Sequence, residues 1–354
     1  MGQLDPPRRW RRLGPAGWLG LLWVLAAALL RSSHSVEATG EPAFMRGMTV
    51  SCPRDGEIWG TEQMREALRE LRPLGVEWVA IHPYAGVRRD GTIRFRPAAE
   101  TSYLAQAAAI SRQEGVQLFW KPHLAYWGSF EWRGDIAFGD DEAAWQRFFS
   151  GYRDFILDQA RFAEQAGLPL LAVGVELEAT TGRQELWRQL IADVRQVYHG
   201  RITYAANWDR LEQVPFWDAL DFVGVQAYFP LSEVEDPDVA SLEAGWQPHL
   251  AALEALSARL HGKPVLFTEI GYNRSEDAAR RPWDYQVRDS ERTRSLRRRL
   301  IEVALAETDR RPYLRGVFWW KWMPGPYPGR SNFSMRDPEA MDALRHTWGA
   351  SFAH

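Results

Sequence analysis

The chain of 354 residues contains a single cysteine, Cys52, so no intrachain disulfide can form and cysteine-rich metal sites are excluded. No Gly-rich phosphate loop follows the first apolar run, and neither a serine nucleophile elbow nor a metal-ligand cluster occurs along the sequence. Kinase, serine-esterase and metallohydrolase chemistries therefore lack their residues, and no cofactor or metal is expected. The net charge of −3 gives no general attraction to polyanions, and dense Lys/Arg stretches are confined to the first dozen residues and Arg292–Arg299. Nucleic acid is not an expected partner. Linkers, low-complexity blocks and internal repeats are also lacking, which leaves no reason to divide the main part of the chain.

Tryptophan, by contrast, is abundant. There are 18 Trp residues and 13% aromatics, where tryptophan normally makes up only about one or two per cent of a protein. Flat apolar rings fill cores, and they also suit the faces of sugar rings. With 45% hydrophobic residues the chain can bury a sizeable core.

At the N-terminus, Arg8, Arg9, Arg11 and Arg12 precede an apolar run from Ala16 to Leu30, followed by Arg31 and a polar Ser/His segment. This is the layout of a secretory signal, with Val36, Glu37 and Ala38 offering a small-residue cleavage site. The run is shorter than the roughly 20 residues of a membrane span, and an uncleaved membrane anchor through residues 16–30 is the alternative. Residues 1–41 are thus read as signal peptide or anchor plus spacer, and 42–354 as one domain, secreted or periplasmic and monomeric.

From Met45 onward short apolar runs alternate with longer amphipathic segments. The pattern predicts strands over Met45–Val50, Val76–Ile81, Val116–Trp120, Leu170–Val175, Ile202–Ala206, Phe222–Gln226, Val265–Thr268 and Leu314–Trp320. It predicts helices near Thr61–Leu71, with Thr61 as cap, and near Thr101–Glu114, Asp141–Ala166 and Arg183–Val197. Four more are expected near Phe216–Leu220, Leu242–Leu260, Ser290–Ala306 and Glu339–Thr347. Eight alternating units in about 300 residues are the size of a closed (β/α)8 TIM barrel. The longer loops, 128–140, 229–240 and 273–289, all follow strands, which places them on the C-terminal face where such barrels carry their chemistry.

Two of these strands end on carboxylates. Lys263–Tyr272 delivers Glu269 after the apolar Val265, Leu266 and Phe267, and Leu168–Glu178 delivers Glu176, with Glu178 two residues on as competitor for the same role. Units four and seven lie nearly opposite each other across an eight-stranded barrel, so the two glutamates would face one another over its mouth. Retaining glycoside hydrolysis needs such a pair, with carboxyl groups about 5–5.5 Å apart.

Trp120-Lys-Pro-His123, Gly174-Val-Glu176, Gln226-Ala-Tyr228, Thr268-Glu-Ile-Gly-Tyr272 and Phe318-Trp-Trp320, each at a strand end, together resemble glycoside hydrolases of clan A, most of all family 113, the β-mannanase-type barrels. The resemblance spans Met45–Trp348. It implies Glu176 as acid/base, Glu269 as nucleophile, and endo-cleavage of β-1,4-mannan with retention, a polysaccharide being the partner. One position departs from the clan pattern. Many members carry Asn before the acid/base to bind the substrate 2-hydroxyl, and this chain has Val175.

Other strand-end residues are candidates for the cleft. Tyr228 is placed to donate to Glu269, while Lys121 and His123 are placed to bind sugar hydroxyls or tune Glu176; His82, with Tyr84 beside it, is similar. Asn207 and Trp208 end the fifth strand and would line the cleft. Trp319 and Trp320 must face opposite ways within a strand, so at most one faces the interior, and Trp322 is a further candidate. Trp127 and Trp132 would either extend a subsite or pack their own loop. Two other functions stay open at this level: a non-catalytic carbohydrate-binding protein on a degenerate barrel, and a hydrolase of another β-glycan, glucan or cell-envelope glycan.

Overall fold

The computed structural model describes residues 44–326 and 332–349. The signal or anchor expected within residues 1–41 lies outside the described residues, among which no helix is long and apolar enough to cross a membrane. Eight parallel strands close into a barrel. They are β1 (Met45–Val50), β2 (Trp78–Ile81), β3 (Gln117–Trp120), β4 (Leu170–Val175), β5 (Arg201–Asn207), β6 (Phe222–Gln226), β7 (Val265–Ile270) and β8 (Leu314–Trp322). Each pairs with its sequence neighbours, and β1 closes the ring against β8.

Helices α1 (Glu62–Leu71), α2 (Ser102–Gln113), α3 (Glu142–Gln165), α4 (Gln184–Arg195), α5 (Val239–Arg259), α6 (Glu291–Thr308) and α7 (Pro338–Thr347) surround it. Their starts follow local chemistry: Asp141, Asp238 and Asp337 accept from the backbone N–H groups of Ala144, Ser241 and Ala340, and Ser290 with Thr293 forms a capping box. Thr61 occupies the cap position of α1, but its hydroxyl donates back to the Ile58 carbonyl and makes no cap. The helix expected over Phe216–Leu220 is only a 3-10 turn, Trp217–Ala219. The connection between β5 and β6 is taken up by two 3-10 turns, this one and Leu211–Gln213, in place of an α-helix.

The apolar alternation of the strands builds two cores. Inside the barrel, Met45, Ala80, Phe119, Leu170, Ala172, Val175, Ala205, Phe222, Leu266 and Phe318 pack against each other, the filled interior expected of an eight-stranded barrel. Between strands and helices lies a larger layer that takes up Trp59, Trp120, Trp187, Trp246, Trp319, Trp322 and Trp348. A small sheet that the alternation did not predict sits outside the barrel's own hydrogen bonding: Tyr84–Val87 runs parallel to His123–Ala125 and antiparallel to Ile93–Arg94.

Gly47 in β1 is one of the tight points of the interior, because a Cβ there would lie 2.4 Å from the Phe318 ring on the neighbouring strand. Substituting Gly47→Ala should cost about 1–3 kcal/mol of stability by overpacking, read as a shifted midpoint in chemical denaturation. Adding Phe318→Leu to the same protein should return part of that loss.

Candidate active site

The strand termini converge on a cleft of about 590 Å³ at the C-terminal mouth. Glu176 and Glu269 both line it, with His123, Asn207, Trp208, Tyr228 and Trp320. Glu269 lies within β7, which runs on to Ile270 rather than ending at Thr268 as its apolar run suggested. The residue is 5% exposed. Its Oε1 accepts from Lys121 Nζ at 2.6 Å and its Oε2 from the Tyr228 hydroxyl at 2.9 Å, so donors occupy both oxygens.

Lys121 is fully buried and uses all three of its N–H groups, donating also to Gln226 Oε1 and to the Thr268 carbonyl, each at 3.1 Å. Thr268 Oγ1 in turn donates to Gln226 Oε1 at 2.8 Å, which fixes the glutamine amide. Burial pulls the ammonium below its ordinary pKa while Glu269 works against the shift. Lys121 is therefore a partner of Glu269 beneath the cleft and not part of its wall. The Tyr228 phenol is pushed well up by burial and by the Glu269 charge, and stays a neutral donor.

Glu176 follows the last residue of β4 and has φ of 51°, in the left-handed region that a non-glycine residue adopts at a cost. The turn is held on both sides: Glu176 N–H donates to the Ala205 carbonyl at 2.9 Å and Leu177 N–H to the Tyr204 hydroxyl at 2.8 Å. The side chain is 17% exposed, and Arg133 Nε stands 3.7 Å from Oε2. Burial pushes the carboxyl pKa up, Arg133 opposes this, and the Glu269 charge adds to it. Glu178 is directed elsewhere. Its Oε1 accepts from Asn207 Nδ2 at 2.7 Å, and its Oε2 is buried without a partner.

Arg133 comes from a 3-10 turn in the loop after β3, and nothing in the local sequence singled it out. Its Nη1 meets His123 Nδ1 at 2.9 Å. Because a guanidinium only donates, Nδ1 is the acceptor and the proton of the neutral ring sits on Nε2. Burial and then the Arg133 charge hold His123 well below the usual histidine range. His82 stacks on His123 with ring centroids 5.0 Å apart and is 1% exposed. Burial brings it down to about 3, and it packs behind His123 among Trp59 and Tyr84 instead of lining the cleft.

The tryptophan pair resolves by strand alternation. Trp320 faces the cleft and Trp319, 1% exposed, points into the layer under the helices, which corrects Trp319 as a cleft residue; the buried Trp322 joins that layer because the register of β8 against β1 shifts after Trp320. Trp132 lines the cleft; Trp127, 65% exposed, lines a separate cavity of about 430 Å³ beside Tyr84. Sequence reasoning missed Tyr126, Trp283, Tyr285 and Phe333, which add aromatic surface to the cleft. The Trp283 ring stacks beside Trp208 at 6.3 Å. Their only signal was position, in loops that follow barrel strands.

A closed parallel barrel with two glutamates and aromatic walls at its C-terminal mouth is the arrangement of clan A glycoside hydrolases. The sequence model described as Glycoside Hydrolase Family 113 matches residues 48–337, and the chain belongs to that family. Among solved structures, a family 113 β-mannanase from Alicyclobacillus acidocaldarius is 26% identical, with TM-score 0.74 over 88% of this chain and 98% of that one. A family 113 β-1,4-mannanase is 22% identical, with TM-score 0.76 over 86% and 99%. A family 5 mannosidase from Rhizomucor miehei, 12% identical, shares the fold at TM-score 0.55 over 88% and 94%. No curated protein matches the sequence.

Glu178 has a consequence for stability. Burial, and next the Glu176 charge, raise its pKa from the ordinary 4.5 to about 7. A carboxyl that binds its proton more tightly when folded favours folding below its unfolded pKa, and this contribution is lost as pH rises through the folded value. Glu178→Gln does not ionise, so its melting temperature should gain on the wild type between pH 4.5 and about 7 and run parallel above. A gap that stays constant across that window would show that Glu178 does not titrate as stated.

Proposed function

We propose that the chain is a retaining endo-β-1,4-mannanase, with Glu269 as nucleophile and Glu176 as acid/base. The observation that carries the reading is the contrast between the two carboxyl groups in one cleft. Glu269 has donors on both oxygens, the surroundings an attacking anion needs. Glu176 is pushed up by burial, as suits a group that must hold a proton before giving it away. In the first step Glu176 protonates the glycosidic oxygen while Glu269 attacks the anomeric carbon, forming a glycosyl-enzyme and releasing the leaving chain. In the second, Glu176 takes a proton from water, and the oxygen of that water displaces Glu269 from the same carbon.

Asn207, Trp208, Trp320 and His123 line the cleft where sugar units would sit, while Lys121 and Tyr228 hold the nucleophile. Mannan is favoured over other β-glycans because family 113 structures described as β-mannanases share this fold over most of both chains. Action outside the cytoplasm fits both the N-terminal sequence pattern and a polymeric substrate that cannot cross a membrane. Every residue invoked comes from one chain, so a monomer suffices.

The test is hydrolysis of a panel of polysaccharides by wild type and Glu269→Ala. β-Mannan should be the preferred substrate, and the variant should lose its activity by several powers of ten; full activity in Glu269→Ala would overturn the mechanism. Glu176→Gln should lose far more on mannan than on an aryl β-mannoside whose leaving group needs no proton. Glu178→Gln should lose less than Glu176→Gln on mannan. The first-formed product should be the β-anomer by proton NMR, and an α-anomer would rule out retention.

A further inference from the structure

We propose that Asn207 binds the 2-hydroxyl of the sugar at the point of cleavage and that Glu178 is the residue that positions it. This rests on the mannanase reading and assigns its discrimination at C2. In the transition state, positive charge grows at C1. The neighbouring 2-hydroxyl becomes more acidic, and its hydrogen bond to an acceptor strengthens as the bond breaks. The residue before Glu176 cannot serve, because Val175 has an apolar side chain, 2% exposed and packed inside the barrel.

The strand registers supply another group at the right height. Val175 pairs with Ala205, and the Glu176 N–H donates to the Ala205 carbonyl, so the end of β5 runs directly beside Glu176. Ala205 packs inside the barrel. Two residues on, Asn207 points the same way, into the mouth. Asn207 pairs with Gln226, and Gln226 pairs with Glu269. Glu176, Asn207, Gln226 and Glu269 therefore form one arc over β4 to β7, with Asn207 between the two catalytic carboxyl groups.

The amide is oriented. Its Nδ2 donates to Glu178 Oε1 at 2.7 Å, and among the described residues no donor reaches Oδ1, which is left for a substrate O–H in the cleft. Glu178 itself has little room to move. A Cβ on Gly134 would stand 2.4 Å from its Oε2, so the backbone of the loop after β3 closes directly over the carboxyl. Glu178 acts through Asn207 and does not touch the sugar.

The experiment compares kcat/KM for p-nitrophenyl β-mannobioside and for its analogue lacking the 2-hydroxyl on the sugar that bears the nitrophenyl group. Wild type should favour the hydroxylated substrate, and Asn207→Ala should reduce that ratio by about tenfold or more, through the hydroxylated substrate alone. The ratio does not depend on how much of a variant is folded. Glu178→Ala should reduce it as well, and Glu178→Gln, which keeps an acceptor facing the amide, should restore it. An equal loss on both substrates in Asn207→Ala would overturn the proposal while leaving the mannanase reading in place. A wild type that hydrolyses neither mannoside would instead overturn the reading on which it rests.

Discussion

The buried ion pair between Lys121 and Glu269 is the constraint around which the mouth of the barrel is arranged. Two opposite charges taken out of water are tolerable only when their remaining hydrogen-bonding capacity is met. The neighbours do this: Gln226 and the Thr268 carbonyl take the other ammonium protons, and Tyr228 takes the second carboxylate oxygen. In the closed order β3 and β7 stand opposite each other, so the pair is a strut across the barrel, just under the floor of the cleft. Beside it, burial and then the Glu269 charge keep Tyr228 a protonated phenol, and burial above all keeps the imidazoles of His82 and His123 neutral.

Much of the fold was legible because the barrel writes a simple code. Apolar runs at β1, β4 and β6 begin and end where the structure has them, and β4, buried on both faces, stops where the polar Glu176 begins. The same logic shortened β7, whose buried end carries Thr268 and Glu269; polarity there reflects a site and not a terminus. The small sheet of Tyr84–Val87 and His123–Ala125 was hidden because strands of three or four residues carry no periodicity to read. The 3-10 turn before β6 was over-read as a helix for the opposite reason, a few apolar residues without the length to form one.

The site divides along a similar line. Glu176, Glu269, Tyr228 and Asn207 are strand-end residues, and counting strands is enough to bring them to one rim. Trp319 and Trp320 needed the phase of β8, which two adjacent identical residues do not reveal. Arg133, Trp283 and Tyr285 reach the cleft from long loops, where sequence spacing no longer maps onto direction. The numerous tryptophans are likewise of two kinds. Those of the helix layer, such as Trp187 and Trp246, are fully buried structural fill, whereas Trp208, Trp283 and Trp320 stand at the cleft.

The left-handed backbone at Glu176 bears on the history of the chain. Glycine or asparagine would occupy that conformation with less strain than glutamate. A barrel that had ceased to cleave glycans and merely bound them would gain stability by exchanging this residue, and chance mutation would readily supply the exchange. Under the proposed mechanism the strain is the cost of setting an acid/base carboxyl at this turn, and exchange of Glu176 for glycine is the first change to look for in a relative that binds glycans without cleaving them.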